Sequence, residues 1–85
     1  MNIDYSPEFA RRFKKLPQEL KFRVVEKEKI FRKNYRDFRL KTHKLSGKFK
    51  GRMAFWVDFK TRIIFSLINP RLAHFLSIGS HDIYK

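Results

Sequence analysis

Apolar residues follow two different spacings along the chain, and the change between them predicts the order of helices and strands. Between residues 7 and 33 the apolar positions lie three and four residues apart, which is typical of one face of an α-helix. Between residues 53 and 78 they alternate with polar positions, which is typical of strands with one buried face. The pattern predicts helices first and a run of strands afterwards.

The helical region contains two starts and one break. Ser6 can accept hydrogen bonds from the free N–H groups of a first turn, and Pro7 suits the first helical position because no donor is needed there. Pro17 ends this helix, and a second helix is predicted from Gln18 to Lys33. Ahead of both, the alternation in residues 1–5 predicts a short opening strand. The two helices therefore form a hairpin that lies on a sheet.

Two alternating runs, 53–59 and 61–68, predict a β-hairpin. With residues 59–61 as a three-residue loop, one face of the hairpin becomes entirely apolar. The pairs predicted by this loop are Asp58 with Arg62, Val57 with Ile63, Phe55 with Phe65 and Met53 with Leu67. The favoured register also places Arg52, Trp56 and Arg62 on one side of the hairpin.

A two-residue loop is the alternative for this hairpin, and it would place Arg62 opposite Val57 on the core face. Burying a guanidinium group there is costly, so the three-residue loop is preferred. Asn69-Pro70 indicates a turn, after which Leu72 to Ile78 forms the last strand. A four-residue connection sets Arg62 opposite Gly79.

The length and composition indicate one domain of 85 residues, spanning 1–85, whose stability depends on its apolar core. The chain has no cysteine, which excludes disulfides and thiolate metal sites, and ten phenylalanines supply the apolar area. No apolar run approaches the roughly 20 residues that span a bilayer, and no signal peptide pattern is present. We expect a cytoplasmic protein that does not contact membranes.

The charge is strongly positive and unevenly distributed. The net charge is +13, and residues 38–85 contain ten basic but only two acidic residues. Such a balance indicates a polyanionic partner, most often nucleic acid. The alternative is a solvated surface whose charge only aids solubility.

The candidate chemistry is concentrated in residues 42–52 and at the end of the chain. The first stretch places a histidine, two glycines and four cations directly before the hairpin, and these cations and Trp56 are the candidate RNA-binding residues: Lys44, Lys48, Lys50, Arg52 and Trp56. The end of the chain offers His81 and Tyr84 just after Gly79. Cleavage of RNA by its own 2′-hydroxyl requires a base, an acid and cations, and histidine suits either proton role near neutral pH. His43, His74 and His81 show no metal-ligand spacing, so we predict no metal and no cofactor.

The chain resembles the RelE/ParE superfamily of type II toxins, and within it the YafQ-like branch of mRNA interferases. The resemblance is carried by the order of elements, by the segment His43-Lys44-Leu45-Ser46-Gly47-Lys48-Phe49-Lys50-Gly51 and by the ending Gly79-Ser80-His81-Asp82-Ile83-Tyr84. It implies an α+β fold with an N-terminal strand, an α-helical hairpin and a three-stranded antiparallel meander in one sheet. It also implies ribosome-dependent, metal-free cleavage of mRNA through a 2′,3′-cyclic phosphate, and a hetero-oligomer with a cognate antitoxin.

The resemblance also implies roles for individual residues. It makes His43 and His81 active-site histidines, places Tyr84 near a terminal aromatic position, and makes Arg62 similar to an arginine that stabilises phosphate. Trp56 and Lys60 depart from the pattern, because the branch can carry a histidine and an aspartate there. The assignment of acid and base between His43 and His81 therefore stays open.

Two other functions are compatible with the sequence. A ParE-like toxin would share the fold but poison DNA gyrase without cleaving anything, and fold alone does not separate the two. A nucleic-acid-binding module would bind RNA in a salt-dependent way and leave its ends unchanged. The tail distinguishes the nuclease from the gyrase inhibitor, because a gyrase inhibitor does not need His81, whereas a nuclease should lose activity in His81→Ala and remain folded.

Overall fold

A computed structural model of the protein describes residues 1–80 and 83. Its two α-helices lie on one face of a five-stranded sheet with the strand order β1-β5-β4-β3-β2. The elements are β1 (Asn2–Tyr5), α1 (Pro7–Lys14), α2 (Gln18–Lys33), a 3₁₀ helix (Phe38–Leu40), β2 (His43–Lys44), a second 3₁₀ helix (Gly47–Phe49), β3 (Met53–Trp56), β4 (Arg62–Asn69) and β5 (Leu72–Gly79). Within this part of the chain, no helix combines the length and apolarity needed to cross a bilayer.

The predicted α+β architecture is confirmed, with one additional strand. β1 pairs with β5 in parallel, and β3, β4 and β5 form the predicted antiparallel meander. The two-residue β2 pairs antiparallel with β3 and forms an edge of the sheet. Sequence analysis missed it because two polar residues carry no alternation. The sheet consequently has five strands, not four.

The start of α1 follows the capping residues in the sequence. The Ser6 hydroxyl accepts a hydrogen bond from the N–H of Phe9 (2.9 Å), and Pro7 is the first helical residue, as predicted. The same hydroxyl donates to the backbone oxygen of Leu76 (2.8 Å), so the start of α1 is tied to β5. α2 runs from Gln18 to Lys33, the predicted bounds.

The core lies between the helices and one face of the sheet. Phe31 of α2 is fully buried, and its ring centroid lies 5.1, 4.9 and 5.1 Å from those of Phe55, Phe65 and Phe75. We call this side of the sheet the core face; it includes Met53, Phe55, Ile63, Phe65 and Phe75. Residues directly opposite each other in adjacent strands lie on the same side. The other side, here named the outer face, is therefore formed by Ala54, Trp56, Arg62, Ile64, Ser77 and Gly79.

The β3–β4 loop is longer than predicted. β3 ends at Trp56, the loop spans residues 57–61, and the three-residue loop is wrong. Each residue of β3 is paired two positions earlier on β4 than expected, as in Phe55 with Ile63 and Met53 with Phe65. A shift of two residues leaves every side chain on its predicted face. Trp56 and Arg62 therefore become direct partners on the outer face.

Asp58 is the physical reason for the longer loop. Its carboxylate accepts hydrogen bonds from the backbone N–H groups of Lys60 (2.9 Å) and Thr61 (2.7 Å), which closes a turn. The N–H of Val57 donates to the oxygen of Thr61 (2.9 Å) at the base of that turn. A side-chain-capped turn thus replaces the last strand pairs that alternation alone predicted.

The predicted pairing of Arg62 with Gly79 is confirmed. The predicted four-residue connection is wrong, because the turn between β4 and β5 contains only residues 70 and 71. Two register shifts along the strands cancel each other, so the predicted alignment is kept. The end of β5 therefore lies beside the start of β4, next to Trp56.

Candidate active site

A stacked pair, Trp56 and Arg62, forms the centre of the outer face. The Arg62 Cζ atom lies 3.7 Å from the centroid of the Trp56 ring, and only 3% of Arg62 is exposed. Its Nη1 group donates to three backbone oxygens of the loop, those of Asp58 (2.8 Å), Phe59 (3.0 Å) and Thr61 (3.3 Å). The arginine therefore connects the loop to the sheet and holds a positive charge against the indole.

The predicted side-chain pairing of Asp58 with Arg62 is wrong. The described contact of Arg62 is to the backbone oxygen of Asp58, while the carboxylate serves the turn. Burial would raise the pKa of the Asp58 carboxyl, but hydrogen bonds from Thr61 and Lys60 outweigh it and lower that pKa. The Asp58 carboxylate therefore stays ionised and stabilises the turn.

His43 lies exposed on β2, opposite Ala54. Its Nδ1 atom is 3.0 Å from the backbone oxygen of Lys41. A carbonyl oxygen can only accept, so Nδ1 carries the hydrogen and the neutral ring has its lone pair on Nε2. This tautomer presents Nε2 as a proton acceptor.

Lys41 contributes to the site in two ways that the sequence did not indicate. Its backbone is left-handed (φ 51°), which positions its carbonyl oxygen at His43. Its ammonium nitrogen lies 5.2 Å from the centroid of the Trp56 ring. Lysine has no preference for left-handed backbone, so no sequence signal could have identified this position. Lys41 joins His43 to the Trp56–Arg62 pair.

The cationic stretch 44–53 folds around a cleft of about 490 Å³. Lys44, Lys50 and Arg52 line it together, as the clustering of charge in the sequence predicts. Gly47 and Gly51 have positive φ angles (65° and 91°) that allow the chain to curl around it. Lys48 does not line this cleft; its ammonium lies 5.3 Å from the ring centroid of Phe49. Three of the four predicted RNA-binding cations are thus brought together.

Gly79 ends β5 directly opposite Arg62. A Cβ atom at this position would collide with the side chain of Ile83 and would lie 3.3 Å from Nη1 of Arg12. The close approach explains why glycine is required here. It also shows that Arg12, which the helical pattern places on an outward-facing side of α1, reaches the end of β5. His81 and Tyr84 lie outside the described residues, so their predicted roles stay predictions.

Comparisons with known proteins give strong matches in structure alone. The chain matches no family model, and no curated protein sequence matches it significantly. A YoeB/ParE toxin from Agrobacterium tumefaciens superposes with a TM-score of 0.80 at 8% identity, covering 95% of this chain and 99% of the other. A chain of the YoeB–YefM complex from Staphylococcus aureus gives 0.78 at 18% identity, covering 95% and 97%. A chain of the E. coli DinJ–YafQ toxin–antitoxin complex gives 0.73 at 23% identity, covering 96% and 93%.

These matches confirm the predicted fold. Nearly the whole of each chain is covered, so the strand, the helical hairpin and the meander all correspond. At identities of 23% or less, the likeness establishes the RelE/ParE-like fold and leaves the chemistry to be argued from the residues of this chain.

Proposed function

We propose that the protein is the toxin of a type II toxin–antitoxin pair and that it cleaves mRNA on the ribosome. The observation that carries this proposal is the orientation of His43. Its Nε2 is available as a base, while Lys41 connects it to the Trp56–Arg62 pair and the cationic cleft lies directly after it in the chain. The shared fold with YafQ and YoeB toxins supports the same reading.

The proposed reaction is an internal transesterification of RNA. Nε2 of His43 removes the proton from a ribose 2′-hydroxyl, and the 2′-oxygen attacks the adjacent phosphorus. The bond from phosphorus to the 5′-oxygen breaks, and an acid protonates that oxygen. The products are a 2′,3′-cyclic phosphate and a free 5′-hydroxyl. Since the attacking oxygen belongs to the RNA, the reaction as proposed uses no metal or cofactor.

The other site residues receive roles that fit their chemistry. His81 is the proposed acid, because His43 is oriented as the base, and Tyr84 orients a nucleotide. Trp56 stacks on a base, which is worth about 1–3 kcal/mol. Lys44, Lys50 and Arg52 bind the RNA backbone from their shared cleft, and Lys48 extends this surface.

Arg62 has a dual role in the proposal. All its described hydrogen bonds use Nη1 and go to the loop, so Nη2 and Nε are the nitrogens with which it would meet the phosphoryl group. Its low exposure means that it acts from within the surface, with its charge fixed before substrate binds. A pre-oriented cation of this kind does not have to reorganise during the reaction.

We also propose a cognate antitoxin, because two of the matched structures are complexes named for two proteins, YoeB–YefM and DinJ–YafQ. The partner should be acidic to complement the charge of +13. Either the cationic surface or the helical hairpin can receive it. The hairpin offers an apolar cavity of about 320 Å³ lined by Tyr5, Phe9, Ala10, Phe13, Val24 and Glu28. Toxin and antitoxin would form a hetero-oligomer in the cytoplasm, where ribosomes are.

A gyrase inhibitor is the second candidate. The YoeB/ParE toxin from Agrobacterium tumefaciens superposes with a TM-score of 0.80, so the fold is also compatible with a ParE-like activity. Such a protein would bind gyrase and would leave RNA intact. It would have no use for an imidazole fixed in one tautomer.

The two candidates are separated by one pair of assays. Purified protein is incubated with translating ribosomes and the 5′ ends of the message are mapped, and in parallel gyrase supercoiling is measured. We expect new 5′ ends within the message and unchanged supercoiling. Intact message with inhibited supercoiling would favour the gyrase inhibitor. Intact message with unchanged supercoiling would contradict both toxin proposals.

A further inference from the structure

A second cleft lies beside the proposed catalytic residues, at the junction of α1, β4 and β5. Its volume is about 520 Å³. Its polar lining residues include Glu8, Arg12, Arg52 and Ser77, and its apolar lining residues include Ile64 and Ile83. The sequence-based site prediction includes only Arg52 from this set.

The most informative residue of the cleft is Ser77. It is 7% exposed, and its hydroxyl has no hydrogen-bond partner among residues 1–80 and 83. A buried hydroxyl without a partner is destabilising, and proteins seldom retain one unless something else completes it. Ser77 lies in the wall of the cleft, so a rotation of its side chain to another rotamer would let a ligand oxygen bound there become the missing partner.

Two arginines from separate elements line the same cleft. Arg12 belongs to α1, and its Nε lies 3.6 Å from the Glu8 carboxylate, while its Nη1 points to the end of β5 at Gly79. Arg52 precedes β3 and also lines the cationic cleft described above. Among the described residues that line the cleft, Glu8 contributes one carboxylate and the two arginines contribute two guanidinium groups, which is an excess of positive charge. Guanidinium groups and a hydroxyl donate hydrogen bonds, and phosphate oxygens accept them.

We propose that this cleft binds a phosphate group of single-stranded RNA next to the cleavage position. The proposal rests on the proposed function and names a subsite for it. Arg12, Arg52 and Ser77 donate to the phosphate oxygens, and the sugar contacts the apolar wall formed by Ile64 and Ile83.

The position of the cleft on the sheet favours RNA over an acidic peptide. Ser77 pairs with Ile64, and Gly79 pairs with Arg62. The two pairs are two residues apart on the same face, which corresponds to roughly 7 Å. A single RNA strand can therefore follow the outer face from the Trp56–Arg62 pair into the cleft. An acidic peptide would meet the two arginines but has no base to stack on Trp56.

The test measures binding of a 2′-O-methyl RNA hexanucleotide, which this mechanism cannot cleave, to the full-length protein by fluorescence anisotropy at several salt concentrations. Ser77→Ala should weaken binding about tenfold, because a hydrogen bond to a charged group is lost. Its melting temperature should stay unchanged or rise, since the substitution removes an unsatisfied hydroxyl. Ser66→Ala is the matched control, because Ser66 lies on β4 of the same sheet but outside the cleft. This variant should bind as the wild type does.

Two charge substitutions on α1 should change the affinity in opposite directions. Arg12→Gln should weaken binding and lower the slope of log K against log salt by about 1. Glu8→Gln should strengthen binding about two- to threefold, because a carboxylate is removed from beside the phosphate. Arg11→Gln removes one charge from the same helix outside the cleft and should have the smaller effect.

Three outcomes would overturn the subsite. The first is an RNA affinity that is unchanged in both Ser77→Ala and Arg12→Gln. A poly-glutamate peptide could lose affinity in these variants while RNA does not, which would make the cleft a partner site. Inorganic phosphate could perturb the Ser77 and Arg12 NMR signals while the hexanucleotide does not, which would make it a site for a small anion.

Because the probe is not cleaved, the result is independent of nuclease activity. Weakened binding in both variants together with intact message on ribosomes would retain the subsite and reject the proposed function. Unchanged binding with new message ends would reject the subsite and retain the proposed function.

Discussion

The two faces of the sheet are stabilised by different kinds of interaction. On the core face, Phe31 contacts three phenylalanines at 4.9 to 5.1 Å, and the stabilising term is apolar area that leaves water. On the outer face, Arg62 and His43 are held by specific hydrogen bonds, from Arg62 to the loop and from His43 to Lys41. The core face depends on apolar area and close packing, whereas the outer face depends on the hydrogen bonds of individual atoms.

This difference predicts that the two faces respond differently to substitution. Changes on the core face should lower stability and, through it, activity. Changes on the outer face should separate the two quantities, because a site residue can lose its chemical role while the core remains intact. Hydrogen-bonded residues that serve the β3–β4 loop should fall between these extremes.

The largest expected effect is on the core face. Phe31→Ala should destabilise the fold by about 3–5 kcal/mol, because it removes the ring shared by three neighbours and leaves a cavity. For a domain of this size, much of the total stability is lost. Urea denaturation measures the free energy of unfolding of the variant and of the wild type. Phe22→Ala on the same helix is the control, since Phe22 is 65% exposed and should cost far less. Equal losses for both variants would contradict the assigned core.

The second effect is on the outer face and concerns activity alone. His43→Gln should reduce the rate of message cleavage on ribosomes by about 10²- to 10⁴-fold, as expected for loss of a general base. Its melting temperature should remain near that of the wild type, because His43 is exposed. His74→Gln is the matched control, because His74 bonds Asp4 between β5 and β1 and has no proposed catalytic role. Full activity in His43→Gln would reject the base assignment.

The third effect concerns Arg62, which stabilises the β3–β4 loop and also has a proposed catalytic role. Arg62→Lys should lower stability by about 1–3 kcal/mol, because a lysine cannot reproduce the contacts of the planar guanidinium group with the loop oxygens and Trp56. Activity should fall as well. The exposed Arg71, in the β4–β5 turn, provides the control Arg71→Lys. If Arg62→Lys reduced activity with no change in stability, Arg62 would be purely catalytic and its structural role would be refuted.

The smallest effect is a pH dependence that comes from the loop. Because the pKa of folded Asp58 is lowered, its contribution to stability is present at neutral pH. It is lost as the pH falls below the ordinary aspartate pKa of about 4 toward the lower folded value. Asp58→Asn should therefore be less stable by about 1 kcal/mol at pH 7, and the difference should shrink in acid. A difference that grew in acid would contradict the assigned hydrogen bonds.

The sequence predicted the core face well, because side chains alternate along a strand and an error of two residues in the pairing leaves each of them on its predicted face. Alternation placed Phe55 and Phe65 inward even though the predicted pairing was shifted by two residues, and the helical spacing gave the bounds of α2. Turn and edge features were predicted poorly. The Asp58 turn competes locally with strand pairing, and the two residues of β2 have no pattern of their own.

The candidate site was predicted in composition but only partly in geometry. The clustering of basic residues in the sequence correctly predicted that Lys44, Lys50 and Arg52 lie around one cleft. Ser77 and Arg12 were missed, because their relevance comes from contacts between elements distant in sequence. Such contacts leave no local signal.

The most direct measurement of the central claim uses a message with a single 2′-deoxynucleotide at the position where the unmodified message is cut. If the outer face catalyses attack by the neighbouring 2′-oxygen, the modified message should remain intact on translating ribosomes, and the unmodified one should end in a 2′,3′-cyclic phosphate. Cleavage of the modified message at the same position would contradict the mechanism proposed for His43.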